Sequence, residues 1–314
     1  MNYSFRVFWQ KYGILLILLF LVVIMGILSP KYFLTVNNLV QIILQSSITI
    51  LIAVGEFFAI LIAGIDLSVG SVLALSGMIT AKMLVNGVPI IIAMLVGGVL
   101  FGGLLGFING VLVVQTGLHP FIITLGGLTI FRGLTLVISD ARPVYGFPPA
   151  FQQIVAGDLF GIIPIPILIA LAVAGIFHII TTKTIPGRNL YAIGGNQDSA
   201  WLSGVNVKVH KIAVFTLSGV ASGIAGIVMI GRLGAAEPLA GQGFELYAIA
   251  AAIIGGTSFF GGKGRISGVV VGAIIIGLIN NALNILNVPT FYQQIVMGSL
   301  IILSVFLDKA LSAK

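Results

Sequence analysis

Long apolar runs divided by short polar punctuation fill this chain from end to end. A helix that crosses a bilayer needs roughly 20 apolar residues. Runs of that kind lie at about 12–28, 39–63, 68–84, 89–114, 120–138, 164–181, 212–230, 246–259, 268–285 and 292–307. The pattern predicts an all-α polytopic membrane protein: one transmembrane domain over 1–314 with about ten spans. The third, fifth and eighth runs are short or broken by glycine, as re-entrant pieces enclosed by protein are. A looser stretch, 139–163, holds Asp140, Arg142 and Asp158 among prolines and glycines and stands outside the series. The one long polar interruption is 182–211, rich in Lys and Arg. It predicts the largest cytoplasmic loop, and a place where another protein pushes on the membrane domain.

Composition strengthens the membrane reading. Of 314 residues, 59% are hydrophobic and only 7% charged, where soluble domains run near a quarter charged. The bilayer is therefore the solvent for most of the chain. Glycine is abundant, at 41 residues, without a triplet period. In membrane helices small residues let backbones approach closely. Gly98, Gly102, Gly106 and Gly110 mark one face of the fourth run, and Ser218, Ser222 and Gly226 mark one face of the seventh. Both stripes predict tight helix packing. Cysteine is absent, which excludes disulfides and thiolate metal sites. The first run follows Arg6 and Lys11 but ends at Leu28-Ser29-Pro30, a poor cleavage site, so it predicts an uncleaved span.

The net charge of +7 is a matter of topology rather than of nucleic-acid binding. Lys and Arg concentrate on the cytoplasmic side. With the N-terminus inside, that side receives Arg6, Lys11, Lys183, Arg188, Lys208, Lys211, Lys263, Arg265, Lys309 and Lys314. The other side receives Lys31, Lys82, Arg142 and Arg232, and Arg132 falls within a span, where it snorkels or pairs near the outer face. Both termini are then cytoplasmic. A weak repeat recurs at a constant offset of 171: Gly106 and Asn109 align with Gly277 and Asn280, Asp66 and Gly70 with Glu237 and Gly241, and Gly55 with Gly226. Five spans per unit make the second copy upside down, the inverted arrangement of many transporters.

Candidate chemistry is sparse. Glu56 lies mid-run in AVGEFFAIL, and a carboxylate in hydrocarbon faces a cavity or a partner. Glu56 is the first candidate for a substrate pathway, followed by Asp66, Asn109, Asn280 and Asn281. Each has a plainer reading: a buried helix–helix hydrogen bond or a protonated acid for Glu56, a helix N-cap at a break for Asp66, and a structural role for the asparagines. Asp158, Glu237 and Glu245 fall outside, as docking points for a soluble partner or as solvated acids. His119, His178 and His210 are scattered, so no metal site is expected. Thr257 to Gly264 lacks the first Gly and the Ser or Thr after the Lys that a phosphate loop needs. The chain therefore carries no ATP site of its own, and no catalytic constellation.

Within the polar island, residues 196–202 predict a short helix lying along the cytoplasmic surface. Gly194 and Gly195 allow a sharp turn into it. Asn196 caps it, Asp198 suits its first turn, and Gly204 ends it. Asp198, Trp201 and Leu202 then share a face. Trp and Leu suit a groove in a partner protein, or rest at the membrane interface.

Three blocks, GIDLSVGSVLALSG, GRNLYAIGGNQDSAWLSGVNV and ELYAIAAAIIGGTSFFGGKGRISGVVVGAIIIGLINNALNIL, resemble the ribose-type permeases of ABC sugar importers. The resemblance covers nearly the whole chain. AVGEFFAILIAGIDLSVG and TGLHPFIITLG are most similar to the D-allose branch, and Glu56 departs from the apolar residue of ribose members. The resemblance implies a permease of the bacterial inner membrane that carries D-allose or a related sugar such as ribose. It implies a homodimer in lipid, a periplasmic sugar-binding protein, and a separate cytoplasmic ATPase that holds ATP and Mg. It places the coupling segment at Gly195, Asn196, Asp198, Trp201, Leu202 and Gly204. The competing expectation is an ion-coupled secondary transporter of a small polar solute, with Glu56 or Asp66 as its proton site.

Overall fold

The computed structural model describes residues 3–161 and 163–312, with side chains at 13–306 apart from 162, and at 308 and 309. The expected anchors Arg6, Lys11 and Lys314 lie outside the described side chains. The chain is helical nearly throughout. Its elements are α1 (Tyr3–Leu28), α2 (Pro30–Phe33), α3 (Val36–Leu61), α4 (Val69–Val85), α5 (Ile90–Ala93), a π-helical stretch (Met94–Leu100), α6 (Phe101–Thr116), α7 (Pro120–Ser139) and α8 (Pro149–Ala156). A small antiparallel pair follows, β1 (Asp158–Leu159) with β2 (Ile163–Pro164). The rest are α9 (Ile165–Lys183), α10 (Ile185–Gly195), α11 (Gln197–Leu202), α12 (Val207–Leu233), α13 (Phe244–Ile254), α14 (Ile266–Ile285) and α15 (Thr290–Ser312).

Among the described residues, six helices are long and apolar enough to cross a membrane: Val36–Leu61, Ile90–Thr116, Pro120–Ser139, Ile165–Lys183, Val207–Leu233 and Ile266–Ile285. Shorter apolar helices lie at Gly13–Leu28, Val69–Val85, Phe244–Ile254 and Thr290–Phe306. Local chemistry sets many ends. The Thr35 hydroxyl accepts from Asn38 N–H at the start of α3. Pro120 opens α7, and the Asn206 side chain caps α12. Gly117 and Gly234 close α6 and α12 in the left-handed conformation, φ 68° and 67°, which glycine adopts without strain.

Helix α3 is the axle of the bundle, with 83% of its apolar window buried, whereas α7 lies at the rim with 22%. Around α3 stand α9, α12, α13 and α14. The most intimate pairing joins α6 to α12. The glycine stripe of α6 faces the backbone of α12: a Cβ on Gly102 would meet the Gly219 carbonyl, one on Gly106 the Phe215 carbonyl, and one on Gly110 the backbone of Ile212. Gly219 and Gly223 return the contact from α12. Small residues here permit backbone-to-backbone packing that no side chain would allow.

The chain departs from its sequence pattern in three places. The eighth apolar run, 246–259, yields only the 11-residue α13, after which the glycine-rich 255–265 is loop. Such a helix is about 16 Å long, half of the roughly 30 Å hydrocarbon layer. The stretch 139–163 is more ordered than its prolines suggest. It forms α8 and the β1–β2 pair, and Val144 makes an antiparallel bridge to Ala236. Gly194 and Gly195 do not turn the chain. They end α10, which Thr184 caps by accepting from Gly187 N–H, with Pro186 in its first turn. Gly194 is small for another reason: a Cβ there would overlap the Leu61 carbonyl oxygen.

Candidate functional site: a buried acid cluster and an exposed short helix

Between α3 and α4 the chain breaks at 62–68 and turns inward. Its first amides bond back to α3, Ala63 N–H to Ile60 and Gly64 N–H to Ala59, but those of 66–68 lie beyond its reach, and a buried amide must find an acceptor. Side chains supply them. Glu56 Oε1 accepts from Asp66 N–H at 3.0 Å. Thr124 Oγ1, on α7, accepts from Leu67 N–H at 3.1 Å. Asp66 Oδ1 accepts from Ser68 N–H at 3.0 Å and from the Ser68 hydroxyl at 2.6 Å. Asp66 Oδ2 accepts from the Ser218 hydroxyl of α12 at 2.8 Å. Asn109 of α6 donates through Nδ2 to Ser68 Oγ at 2.8 Å. One cluster thus ties α3, α6, α7 and α12 to the break.

Glu56, Asp66 and Asn109, expected along a pathway, are brought together here, and each is at most 1% exposed. In this conformation none of them opens to solvent. Asp66 stands two residues before the cap position Ser68 and satisfies its amide, a turn in the manner of an Asx motif rather than the cap itself. Glu56 Oε2 is buried and unpartnered. Asn280 and Asn281 lie elsewhere: Asn281 and Asn38 exchange hydrogen bonds at 2.8 and 3.1 Å, and Asn280 Oδ1 is buried without a partner. Sequence reasoning missed Thr124 and Ser68, and took Ser218 for packing alone. No spacing signals them, because they meet only through the fold.

Arg132 does pair, though with backbone. Its Nη1 donates to the carbonyls of Pro238 at 2.8 Å and Ala240 at 2.7 Å, and Nη2 to Gly70 at 3.4 Å. The three acids expected on the outer face do not share one surface. Asp158 is exposed and Glu237 partly buried. Glu245 is turned inward, where a Cβ on Gly70 would come within 2.7 Å of its Oε2.

The expected short helix is α11. Asn196 Oδ1 accepts from Ser199 N–H at 2.8 Å, Asp198 lies in the first turn, and Gly204 follows at φ 85°. Ala200 is its buried contact, while Trp201 is 66% and Leu202 76% exposed. A groove of about 590 Å³ runs beside it, lined by Val113, Leu118, Trp201, Asn206, Lys208 and Lys211 among others. Gly195 borders open space: a Cβ there would meet nothing within 4 Å. Among the described residues no group of His, Asp or Glu is arranged to hold a metal ion.

Comparison with known proteins places this architecture. The family described as "Branched-chain amino acid transport system / permease component" matches residues 38–305. The D-allose transport system permease protein of Escherichia coli is 61% identical over 99% of this chain and 95% of its own length. The ribose import permease protein of Haemophilus influenzae is 44% identical over 95% of this chain and 92% of its own length. An L-arabinose transport system permease protein of Escherichia coli is 36% identical over 98% of this chain and 93% of its own length. No solved structure matches. The chain belongs to the family of branched-chain amino acid transport system permease components, and is a transport permease of the membrane rather than an enzyme.

Proposed function

We propose that this chain is the membrane-spanning subunit of a binding-protein-dependent ABC importer that moves a monosaccharide inward, D-allose or a related sugar such as ribose. The relatives named for D-allose and ribose transport support the substrate class. The observation that carries the ATP-driven reading is α11. A capped helix that holds Trp201 and Leu202 in the open, beside a groove with Lys208 and Lys211, fits docking into a partner. That partner is a cytoplasmic ATPase, which supplies ATP and Mg. A periplasmic sugar-binding protein delivers the solute, Asp158 and Glu237 standing on its side, and two permease copies sit together in the inner-membrane lipid.

The four shorter apolar helices bring the membrane-embedded segments to about ten, α13 reaching through only half of the layer, with both termini cytoplasmic. An inverted repeat is supported by one reciprocal contact. Gly70 and Gly241, equivalent at the offset of 171, touch each other: a Cβ on either would run into the carbonyl oxygen of the other. Equivalent residues meet in this way only near a pseudo-two-fold axis. The equivalent helix pairs α3·α13 and α12·α4 both form.

The test is uptake into right-side-out or reconstituted vesicles with the ATPase and ATP on the inside. ATP with the binding protein should drive sugar uptake that survives a proton uncoupler. Uptake that collapses with the uncoupler and ignores ATP would establish a secondary transporter instead. Reporter fusions after Gly87 and after Val155 should read periplasmic, and one within 196–205 cytoplasmic.

A further inference from the structure

Three backbone segments meet almost without side chains at the foot of α11. They are the end of α3 at Leu61–Ala63, the end of α10 at Gly194–Gly195, and the turn Gly261–Gly262. Gly262 N–H donates to the Leu61 carbonyl at 2.8 Å. A Cβ on Gly194 would overlap that same carbonyl. A Cβ on Gly261 would lie 2.9 Å from Ala63 N and 3.0 Å from the Gly194 carbonyl, and one on Gly262 2.8 Å from Gly195 N. The Tyr191 hydroxyl, on α10, donates to the Gly264 carbonyl at 3.0 Å. Burial pushes the Tyr191 phenol up from its ordinary range, so it keeps its proton at neutral pH. Ala63 itself is left-handed, φ 58°, a conformation non-glycine residues adopt only where surroundings impose it.

The segments on either side of this joint give it meaning. One residue beyond Gly195 begins the Asn196 cap of α11. Immediately beyond Ala63 runs the break whose amides are held by Glu56, Thr124 and Asp66. Side chains absorb movement by changing rotamer, but backbones in direct contact do not. We propose that this three-way backbone joint transmits displacement of α11 to the α3–α4 break, and through the Asp66–Ser218 and Ser68–Asn109 bonds to α12 and α6. The proposal rests on the reading of α11 as the ATPase contact.

A reversible lock tests it, in a chain that has no cysteine of its own. In Ala63→Cys with Gly261→Cys, ideal Cβ positions lie 3.1 Å apart, a few tenths short of the roughly 3.5–4.5 Å of a disulfide. The double variant is assembled with the ATPase and binding protein in vesicles, and bond formation is read by mass. Because the segments move as one body, oxidation should leave ATP-driven sugar uptake at the rate of the same variant held under reductant. A bonded form that loses uptake about tenfold, with the loss reversed by reductant, shows that the segments must part during transport and overturns the joint. A wild-type complex without ATP-driven uptake overturns the importer reading beneath it, which is a different result. A second pair guards against misfolding. Gly194→Ala intrudes on the Leu61 carbonyl and should lower uptake per ATP hydrolysed, whereas Gly133→Ala, on α7 and away from the joint, meets open space and should not. Equal coupling ratios in the two variants would also sink the proposal.

Discussion

The two interior breaks, 62–68 ahead of α4 and 234–243 ahead of α13, occupy equivalent places at the offset of 171, yet opposite chemistry holds them. At the first, acceptors come to the backbone: Glu56, Asp66 and Thr124 take up the amides of Asp66, Ser68 and Leu67. At the second, a donor comes to the backbone: Arg132 reaches across to the carbonyls of Pro238 and Ala240. The second break also satisfies part of itself through turns, Ala240 N–H to Glu237 and Phe244 N–H to Gly241, and through the Val144–Ala236 bridge. A bilayer offers no water to stray backbone groups, so each break must be filled, but either sign of partner will do. What the halves share is steric, the Gly70–Gly241 approach. What they do not share is polar. The sequence still sets acid against acid, Asp66 with Glu237, and Asn109 with Asn280, so residue types recur at the offset where their bonds do not.

The comparison is broken hardest at Asp66. Asp66→Ala leaves the Ser68 amide and the Ser68 and Ser218 hydroxyls without their acceptor in a sealed interior. An abandoned buried donor costs about 1–3 kcal/mol, so the loss should reach about 3 kcal/mol or more. The measure is the fraction of detergent-purified chain that stays monodisperse after graded heating. A midpoint near wild type would mean that the cluster does not fasten the break.

Arg132→Met probes the other break and should cost less, about 2 kcal/mol. It abandons carbonyls rather than amides, and carbonyls tolerate partial satisfaction better. The turn bonds at Ala240 and Phe244 also remain. The same heating assay should rank Arg132→Met between wild type and Asp66→Ala. A reversed order would make the α12–α13 break the stiffer of the two.

Much of this was legible in the sequence, for physical reasons that also mark where legibility ends. Long apolar runs locate helices because lipid forces backbone bonding within each segment. The stripe Gly98 to Gly110 announced a close partner, and α11 announced itself through Asn196, Asp198 and Gly204. Glu56, Asp66 and Asn109 stood out as polar residues in apolar surroundings, but their meeting point did not. Serines and threonines carry no such signal, since they are common in helices and bond back to their own turn, as Thr80 and Thr135 do here. Gly194 was misread because a glycine needed for close approach looks the same as one needed for a turn. The order within 139–163 was invisible because its partner, Ala236, is far along the chain.

The finest test of the comparison uses two serines one turn apart on α12. Ser218 and Ser222 are both fully buried. The sequence gives them equal standing in one small-residue stripe, and volume treats them alike. Their partners do not: the Ser218 hydroxyl donates to Asp66 Oδ2 at 2.8 Å, while the Ser222 hydroxyl is unpartnered. Ser218→Ala removes a bond to a carboxylate and should cost about 1.5–3 kcal/mol, the range for a charged acceptor. Ser222→Ala removes a buried hydroxyl that is already unsatisfied. The methyl that remains fits the same space, so the change should lie within about 0.5 kcal/mol of wild type or raise stability. Thermal midpoints of the two variants, measured side by side, decide whether the stripe works by size alone. Equal losses would show that it does, and that the Asp66 bond adds nothing to the grip of α12 on the first break. A large loss for Ser218→Ala beside a neutral Ser222→Ala would assign that grip to a single hydroxyl.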